Sequence, residues 1–247
     1  MIRHNCQQGS DVWLELRRGK PTASVLDQII TLGGKLSKSA DKLMYKLAAE
    51  RILGYSLENF TSGAMEAGRE REPEAADYYA FEHEVELEEV GICFSDDGRV
   101  GASPDRLIPG GGLLEIKCPM PHTHVGYLLN GSGISTDYKV QIQAQIWICE
   151  ADWLDSLSYC PPLPRSLVRV DRDDVFISIM EGAVRDFCDA LDEAEHKLRR
   201  MSDPAWREPV PEPKPKVEEV NWRGVFGMSS DAGMAEPERP KKRNLLA

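Results

Sequence analysis

Residues 103–119 read SPDRLIPGGGLLEIKCP. Pro109 and Gly110 to Gly112 form a turn, and Leu113 to Lys117 form a strand beyond it. Side chains alternate faces along a strand, so Glu115 and Lys117 point the same way. The turn folds this strand back on the preceding one, which can bring Asp105 beside Glu115. Two carboxylates and an ammonium then meet on one face, a grouping that suits phosphodiester cleavage. Asp105 and Glu115 are hard oxygen ligands for Mg²⁺ or Mn²⁺, and the Ile116 backbone carbonyl offers another oxygen. A divalent ion there would polarise the phosphoryl group and acidify water, and a second would stabilise the leaving oxygen. Lys117 would orient the attacking water or neutralise charge growing on phosphorus. The same residues would also serve as a cross-strand salt bridge on a solvated face, so the spacing alone leaves both readings open.

Outward from this stretch the pattern is mixed. Residues 39–53 read as a helix with a broad apolar stripe of Leu43, Met44, Leu47, Ala48, Ile52 and Leu53. Residues 64–83 read as a second helix, kinked or restarted at Pro73. Residues 85–94 and 99–103 read as strands. Residues 134–150 read as a helix with Val140, Ala144, Trp147 and Ile148 on its apolar side. Short strands follow at 155–160 and 166–170. In 173–200, Met180, Val184, Phe187, Leu191, Ala194 and Leu198 trace one buried stripe of a long helix. Residues 203–216 hold five prolines and cannot build a regular element. The expected organisation is a domain over 1–202 and a Pro-rich tail over 203–247. The tail's apolar patch of Trp222, Val225, Phe226 and Met228, followed by basic Lys241, Lys242 and Arg243, reads either as a docking segment for a neighbouring subunit or partner or as an idle solvated tail.

The net charge of −11 argues against a protein that simply coats DNA. Its distribution is uneven. Residues 1–54 carry nine Lys/Arg against five Asp/Glu, and residues 66–97 carry twelve acids against two Arg. Excess carboxylate suits a site for divalent metal, which inverts the local field. The six cysteines are scattered with no CxxC pair, so reduced thiols are expected rather than a zinc site or a disulfide framework. His122 and His124 follow Cys118 at no standard zinc spacing and read as loop or helix-start residues. No apolar run approaches a membrane span and no secretory h-region is visible, which points to the cytoplasm.

SPDRLI…LLEIKCP resembles the signature of the lambda-exonuclease or YqaJ-like viral recombinase family, within the PD-(D/E)XK nuclease class. Four further segments agree, in the family's order. DVWLELRRGKPTAS (11–24) resembles the N-terminal segment in which an Arg and a Ser contact a DNA 5′-phosphate, matching Arg17 and Ser24. Arg18 is adjacent to Arg17, and Ser24 could instead cap the following helix. GREREPEA (68–75) resembles the helix carrying an active-site Glu, which falls on Glu72, between Glu70 and Glu74. Ser103 matches a phosphate-contacting serine. YKVQIQAQIWI (138–148) resembles the family's Q-x-Q helix and places an active-site Gln at Gln141, with Gln145 on the same face and Gln143 on another. Trp13 and Trp147 read as core side chains.

The resemblance implies an α/β (α+β) fold, a mixed central β-sheet flanked by helices with a restriction-endonuclease-like core. It implies metal-dependent digestion of linear double-stranded DNA, 5′ to 3′ from 5′-phosphorylated ends, leaving 3′ single strands. The catalytic set would be Asp105, Glu115, Lys117, Glu72 and Gln141, with two Mg²⁺ (or Mn²⁺) ions. Expected partners are DNA ends, further copies in a trimeric ring, and a single-strand annealing recombinase. Two rivals stand beside this: a site-specific endonuclease on the same fold, and a DNA-end-binding scaffold without catalysis.

Overall fold

The computed structural model describes residues 1–57, 63–129 and 138–201. The chain opens with strand β1 (Ile2–His4) and helix α1 (Asp11–Arg17), whose N-cap Ser10 accepts a hydrogen bond from the Trp13 amide. A 3₁₀ turn, Ala23–Gln28, leads to α2 (Ala40–Leu53), closed by Gly54 in the left-handed conformation at φ 78°. Helix α3 (Gly63–His83) runs unbroken through Pro73, so the expected restart does not occur. Proline there removes one rung of the hydrogen-bond ladder, and the helix continues on either side of it.

Strands β2 (Ile92–Phe94) and β3 (Gly101–Ala102) join β1 in a three-stranded antiparallel sheet, order β1-β2-β3. Only the end of the expected 85–94 strand pairs regularly. Before it, Glu88 makes an isolated bridge to Leu107, while Val85 and Leu87 turn inward against other apolar side chains. Ser103, Pro104 and Asp105 then carry the chain into a second sheet. That sheet holds β4 (Arg106–Ile108), β5 (Gly112–Lys117), β6 (Trp153–Ser158) and β7 (Ser166–Asp171), in that order. It is mixed: β5 runs antiparallel to β4 and parallel to β6, and β6 antiparallel to β7. Parallel β5 and β6 require a crossover, which contains α4 (Pro121–Leu129) and α5 (Tyr138–Ile148). Residues 134–137, the expected start of that helix, lie outside the described residues. The last described element is α6 (Asp174–Met201). The Pro-rich tail, 203–247, also lies outside the described residues.

Two apolar layers cover the mixed sheet. On one face Leu113 and Leu154 pack with buried residues of α2, α5 and α6; on the other, Leu114, Ile116 and Leu157 pack with Ala75, Ala76 and Tyr79 of α3. The α6 stripe is buried through Leu191, but Leu198 is 41% exposed, so the helix outlasts the core it covers. The tight turn before β5 requires glycine, since Gly110 and Gly111 both sit at φ 90°. Gly112 is needed for another reason. A Cβ there would lie 2.3 Å from the ring of Trp153, its partner in the β5–β6 register.

Among the described residues, no helix is long and apolar enough to cross a membrane.

Candidate active site

The register of β4 against β5 sets Arg106 opposite Leu114, so Asp105 falls level with Glu115, as the turn predicts. Asp105 is held from the edge of the sheet: its Oδ2 accepts the Ile116 amide at 2.5 Å. The Lys117 carbonyl accepts from Tyr159, on the β6 side. Backbone groups alternate sides along a strand, so the Ile116 carbonyl leaves β5 on the same side as its amide, toward Asp105.

Glu115 lies on the α5 face of the sheet and is 4% exposed. Its Oε1 receives Lys117 Nζ at 2.5 Å and Gln141 Nε2 at 2.9 Å, and its Oε2 receives Gln145 Nε2 at 2.7 Å. Gln141 and Gln145 are one helical turn apart on α5, which aims both at the same carboxylate. Gln141 is therefore brought into the constellation, as expected. Gln145 joins it although only its shared face with Gln141 hinted at that. Gln143 turns away and fixes the start of α6, donating to the Asp171 carbonyl at 2.8 Å and accepting from the Asp173 amide at 2.9 Å.

Two electrostatic features follow. Enclosure by protein and the neighbouring charges of Glu115 and Glu72 push the Asp105 carboxyl well above the usual carboxylate range. Burial alone would lower Lys117, but the charges of Glu115 and Asp105 outweigh it and hold the ammonium protonated. The site is thus a conflict of negative charge with one cation inside it.

Asp105 lines a cleft of about 740 Å³ together with Glu72, Pro73, Arg69, Arg106 and Trp13, and with loop residues 5–9. Glu72 is held there by Arg106, which donates to Glu72 Oε1 at 3.2 Å and to the Asp105 carbonyl at 2.5 Å. Its neighbours do otherwise: Glu74 accepts from Tyr159 at 2.9 Å, and Glu70 is exposed outside the cleft lining. Among the described residues no three Asp, Glu, His or Cys side chains form a ready-made metal cage. The oxygen donors present are two adjacent carboxylates and a carbonyl, a set that suits a small hard cation retaining several waters.

Trp13 is not a plain core residue. Its indole N–H donates to the Ser103 hydroxyl at 3.0 Å and the Gly91 carbonyl at 3.1 Å, and the Arg17 guanidinium lies 4.1 Å from its ring centre. Arg17 and Ser103 are thereby joined through one side chain. Arg18 is committed elsewhere, to Glu15 and to the Gly54 carbonyl. Ser24 does not cap a helix. It lies exposed inside the 3₁₀ turn, 3.3 Å from the Thr22 hydroxyl, and Thr22 bridges to Gly101 of β3. Arg17 faces a smaller recess shared with Lys20 and Thr22, beside the cleft that holds Asp105.

The remaining candidates are structural. Trp147 packs on the main core. His124 is buried in α4, with Nδ1 2.7 Å from the Ser158 hydroxyl and Nε2 2.8 Å from the Pro164 carbonyl. All six cysteines are free thiols.

The fold has relatives among solved structures. Two solved structures of the alkaline exonuclease LHK-Exo from Laribacter hongkongensis, one in complex with dAMP, match with a TM-score of 0.71 at 31% identity; the match covers 78% of this chain and 97% of theirs. A phage-related exonuclease from Haemophilus somnus 129PT shares the fold, with a TM-score of 0.58 at 16% identity over 74% of this chain and 96% of its own. No curated protein gives a match. Residues 12–152, more than half the chain, match the model of the YqaJ-like viral recombinase domain, and the protein belongs to that family.

Proposed function

We propose that this protein is a metal-dependent exonuclease. It hydrolyses one strand of linear double-stranded DNA, 5′ to 3′ from a 5′-phosphorylated end, and leaves 3′ single strands for recombination by annealing. The observation that carries the reading is Asp105, which lines an open cleft, set level with Glu115 on the paired strand, with Glu115 held by three donors that include Lys117. A salt bridge on a solvated sheet face would not need a buried carboxylate clamped in this way.

The donor set fits Mg²⁺ or Mn²⁺, because a divalent ion would offset the burial and the neighbouring carboxylates that together raise Asp105. Asp105, Glu115 and the Ile116 carbonyl would hold it, and Glu72 at the rim would help hold a second ion. Such an ion supplies Lewis acidity toward a phosphoryl oxygen and lowers the pKa of water. Lys117 stays protonated and offers positive charge where the phosphoryl oxygens gain negative charge. Gln141 orients Glu115 from the more open end of α5. Arg17, Ser24 and Ser103 flank Trp13 and β3 and would receive the terminal phosphate, with Arg17 supplying a planar fork.

By the same family reading the enzyme acts as a trimeric ring in the cytoplasm and delivers its product to a single-strand annealing recombinase. The test is digestion of linear duplex DNA with and without a 5′-phosphate, in Mg²⁺ and then in EDTA, with circular duplex alongside. The reading predicts cleavage only of linear DNA, preferring the 5′-phosphate and requiring metal. Cutting of circles would favour a site-specific endonuclease, and end binding without turnover a recombination scaffold.

A further inference from the structure

Gln145 is the third donor to Glu115, and it stands outside the residues proposed to hold metal or meet DNA. It is 1% exposed and lies one turn beyond Gln141 on α5, away from the cleft lining. Its Nε2 donates to Glu115 Oε2 at 2.7 Å, shorter than the 2.9 Å contact from Gln141 to Oε1. No protein group among the described residues donates to its own Oε1, which is fully buried. Turning the amide over would be worse, because Oε1 would then face Glu115 Oε2, acceptor against acceptor. A side chain present only to fill the core would be Leu or Met, with no buried acceptor left over. The position instead tolerates an unsatisfied oxygen in order to present an N–H to Glu115.

The two glutamines and Lys117 divide the work. Lys117 and Gln141 both act on Oε1 and restrain the carboxylate from that oxygen. Gln145 donates to Oε2, so with it both oxygens of Glu115 are anchored. We propose that Gln145 is a positioning residue that locks the plane of the Glu115 carboxylate, and that it sets the affinity of the site for its divalent ion without touching DNA. This rests on the reading of Glu115 as a metal ligand. Partners of this kind behind a ligating carboxylate typically account for about 10–100-fold in metal affinity or activity.

The test is Mn²⁺ binding to the full chain without DNA, by calorimetry, for wild type, Gln145→Met, Gln145→Ala and Glu115→Gln. Methionine keeps the volume and loses the donor, and alanine leaves room for water. The inference expects Gln145→Met to weaken Mn²⁺ binding about 10-fold or more while the KM for DNA ends stays within about 2-fold. Alanine should be less severe than methionine yet still measurably weaker than wild type, because an entering water restores a donor that is not held in place. Unchanged Mn²⁺ affinity in Gln145→Met, with Glu115→Gln binding far more weakly, overturns the role of Gln145 and leaves the metal reading intact. Unchanged affinity in Glu115→Gln overturns the metal reading itself. If Gln145→Met does not fold, Gln145→Ala decides: wild-type affinity there together with a lowered melting temperature means that the residue only supports the core, and the inference fails.

Discussion

Replacing Asp105 by Asn should make the metal-free protein more stable while removing its response to metal. Asn keeps the shape, and its Oδ1 can still accept the Ile116 amide that Asp105 now holds at 2.5 Å. What disappears is a charge whose pKa is raised first by its burial and then by Glu115 and Glu72 beside it. A carboxyl whose native pKa lies above its unfolded value binds more protons folded than unfolded. Its ionisation therefore costs stability as pH rises above about 3.9, and the cost is complete once pH exceeds the raised native pKa. The gap between Asp105→Asn and wild type should open over that window and persist at pH 8. Removal of such a charge belongs with stabilising changes of about 0.5–2 kcal/mol, or roughly 1–8 °C in Tm at about 2–4 °C per kcal/mol. Mg²⁺ at ten times its Kd should add about 1.4 kcal/mol to wild type, roughly 3–6 °C, and little to the variant. Thermal melts in EDTA and in Mg²⁺, from pH 4 to 8, measure both. A variant that melts below wild type in EDTA at pH 8 would refute the buried-charge argument, and one that keeps the full Mg²⁺ shift would remove Asp105 from the metal site.

Asp105→Ala or Glu115→Ala should lower kcat by more than about 10³-fold while end binding, read by fluorescence anisotropy, stays intact or tightens, since a repulsive carboxylate is gone. Turnover near wild type in either would end the assignment. Arg17→Ala should erase the preference for 5′-phosphorylated over 5′-hydroxyl ends, and Arg17→Lys should restore it only in part, because an ammonium offers no planar fork; an unchanged preference in the alanine variant would move the role elsewhere. Asp155 is buried, accepts Tyr79 Oη at 2.7 Å and two Arg169 nitrogens at 2.8 Å each, and pins α3 to the mixed sheet. Burial alone would raise its carboxyl, but those bonds outweigh it and hold it below the usual range. Its stabilisation is therefore present above about pH 3.9 and fades as pH falls through the lowered native value. Asp155→Ala should cost at least about 1–3 kcal/mol by orphaning the Tyr79 hydroxyl, and adding Tyr79→Phe should recover part of it in denaturant titrations. A chain ending at Met201 should still digest DNA, since every proposed catalytic residue precedes it; loss of cleavage in a folded truncation would move the domain boundary.

The core of the candidate site was legible because its geometry is local. Asp105, the glycine turn and Glu115-Ile116-Lys117 are neighbours on one hairpin, and strand alternation suffices to say which side chains meet. The spacing of Gln141 and Gln145 was equally plain, but not the depth of Gln145, because amides at an i, i+4 spacing look alike whether they face solvent or a carboxylate. Trp13 was misjudged for a different reason. Its partners, Gly91 and Ser103, are distant in sequence, and nothing around residue 13 announces them. Strand β1 is three residues long, too short for a period-two pattern, and pairs with a strand about ninety residues away. Of the kink or restart expected at Pro73, the restart does not occur, because a proline penalty is a local preference and the packing of Ala75, Ala76 and Tyr79 against the mixed sheet overrides it.

The bond from the Trp13 indole to Ser103 restricts which way a hydroxyl rotor points. An indole nitrogen can only donate, so the Ser103 oxygen must offer it a lone pair, and the serine's own hydrogen has to lie elsewhere. That leaves Ser103 with its proton turned away from Trp13 and one of its two lone pairs engaged. It can donate to an electron-rich visitor, and one lone pair remains for an N–H donor. The orientation of this hydroxyl is therefore biased by a tryptophan, and Trp13→Phe would free it to turn either way.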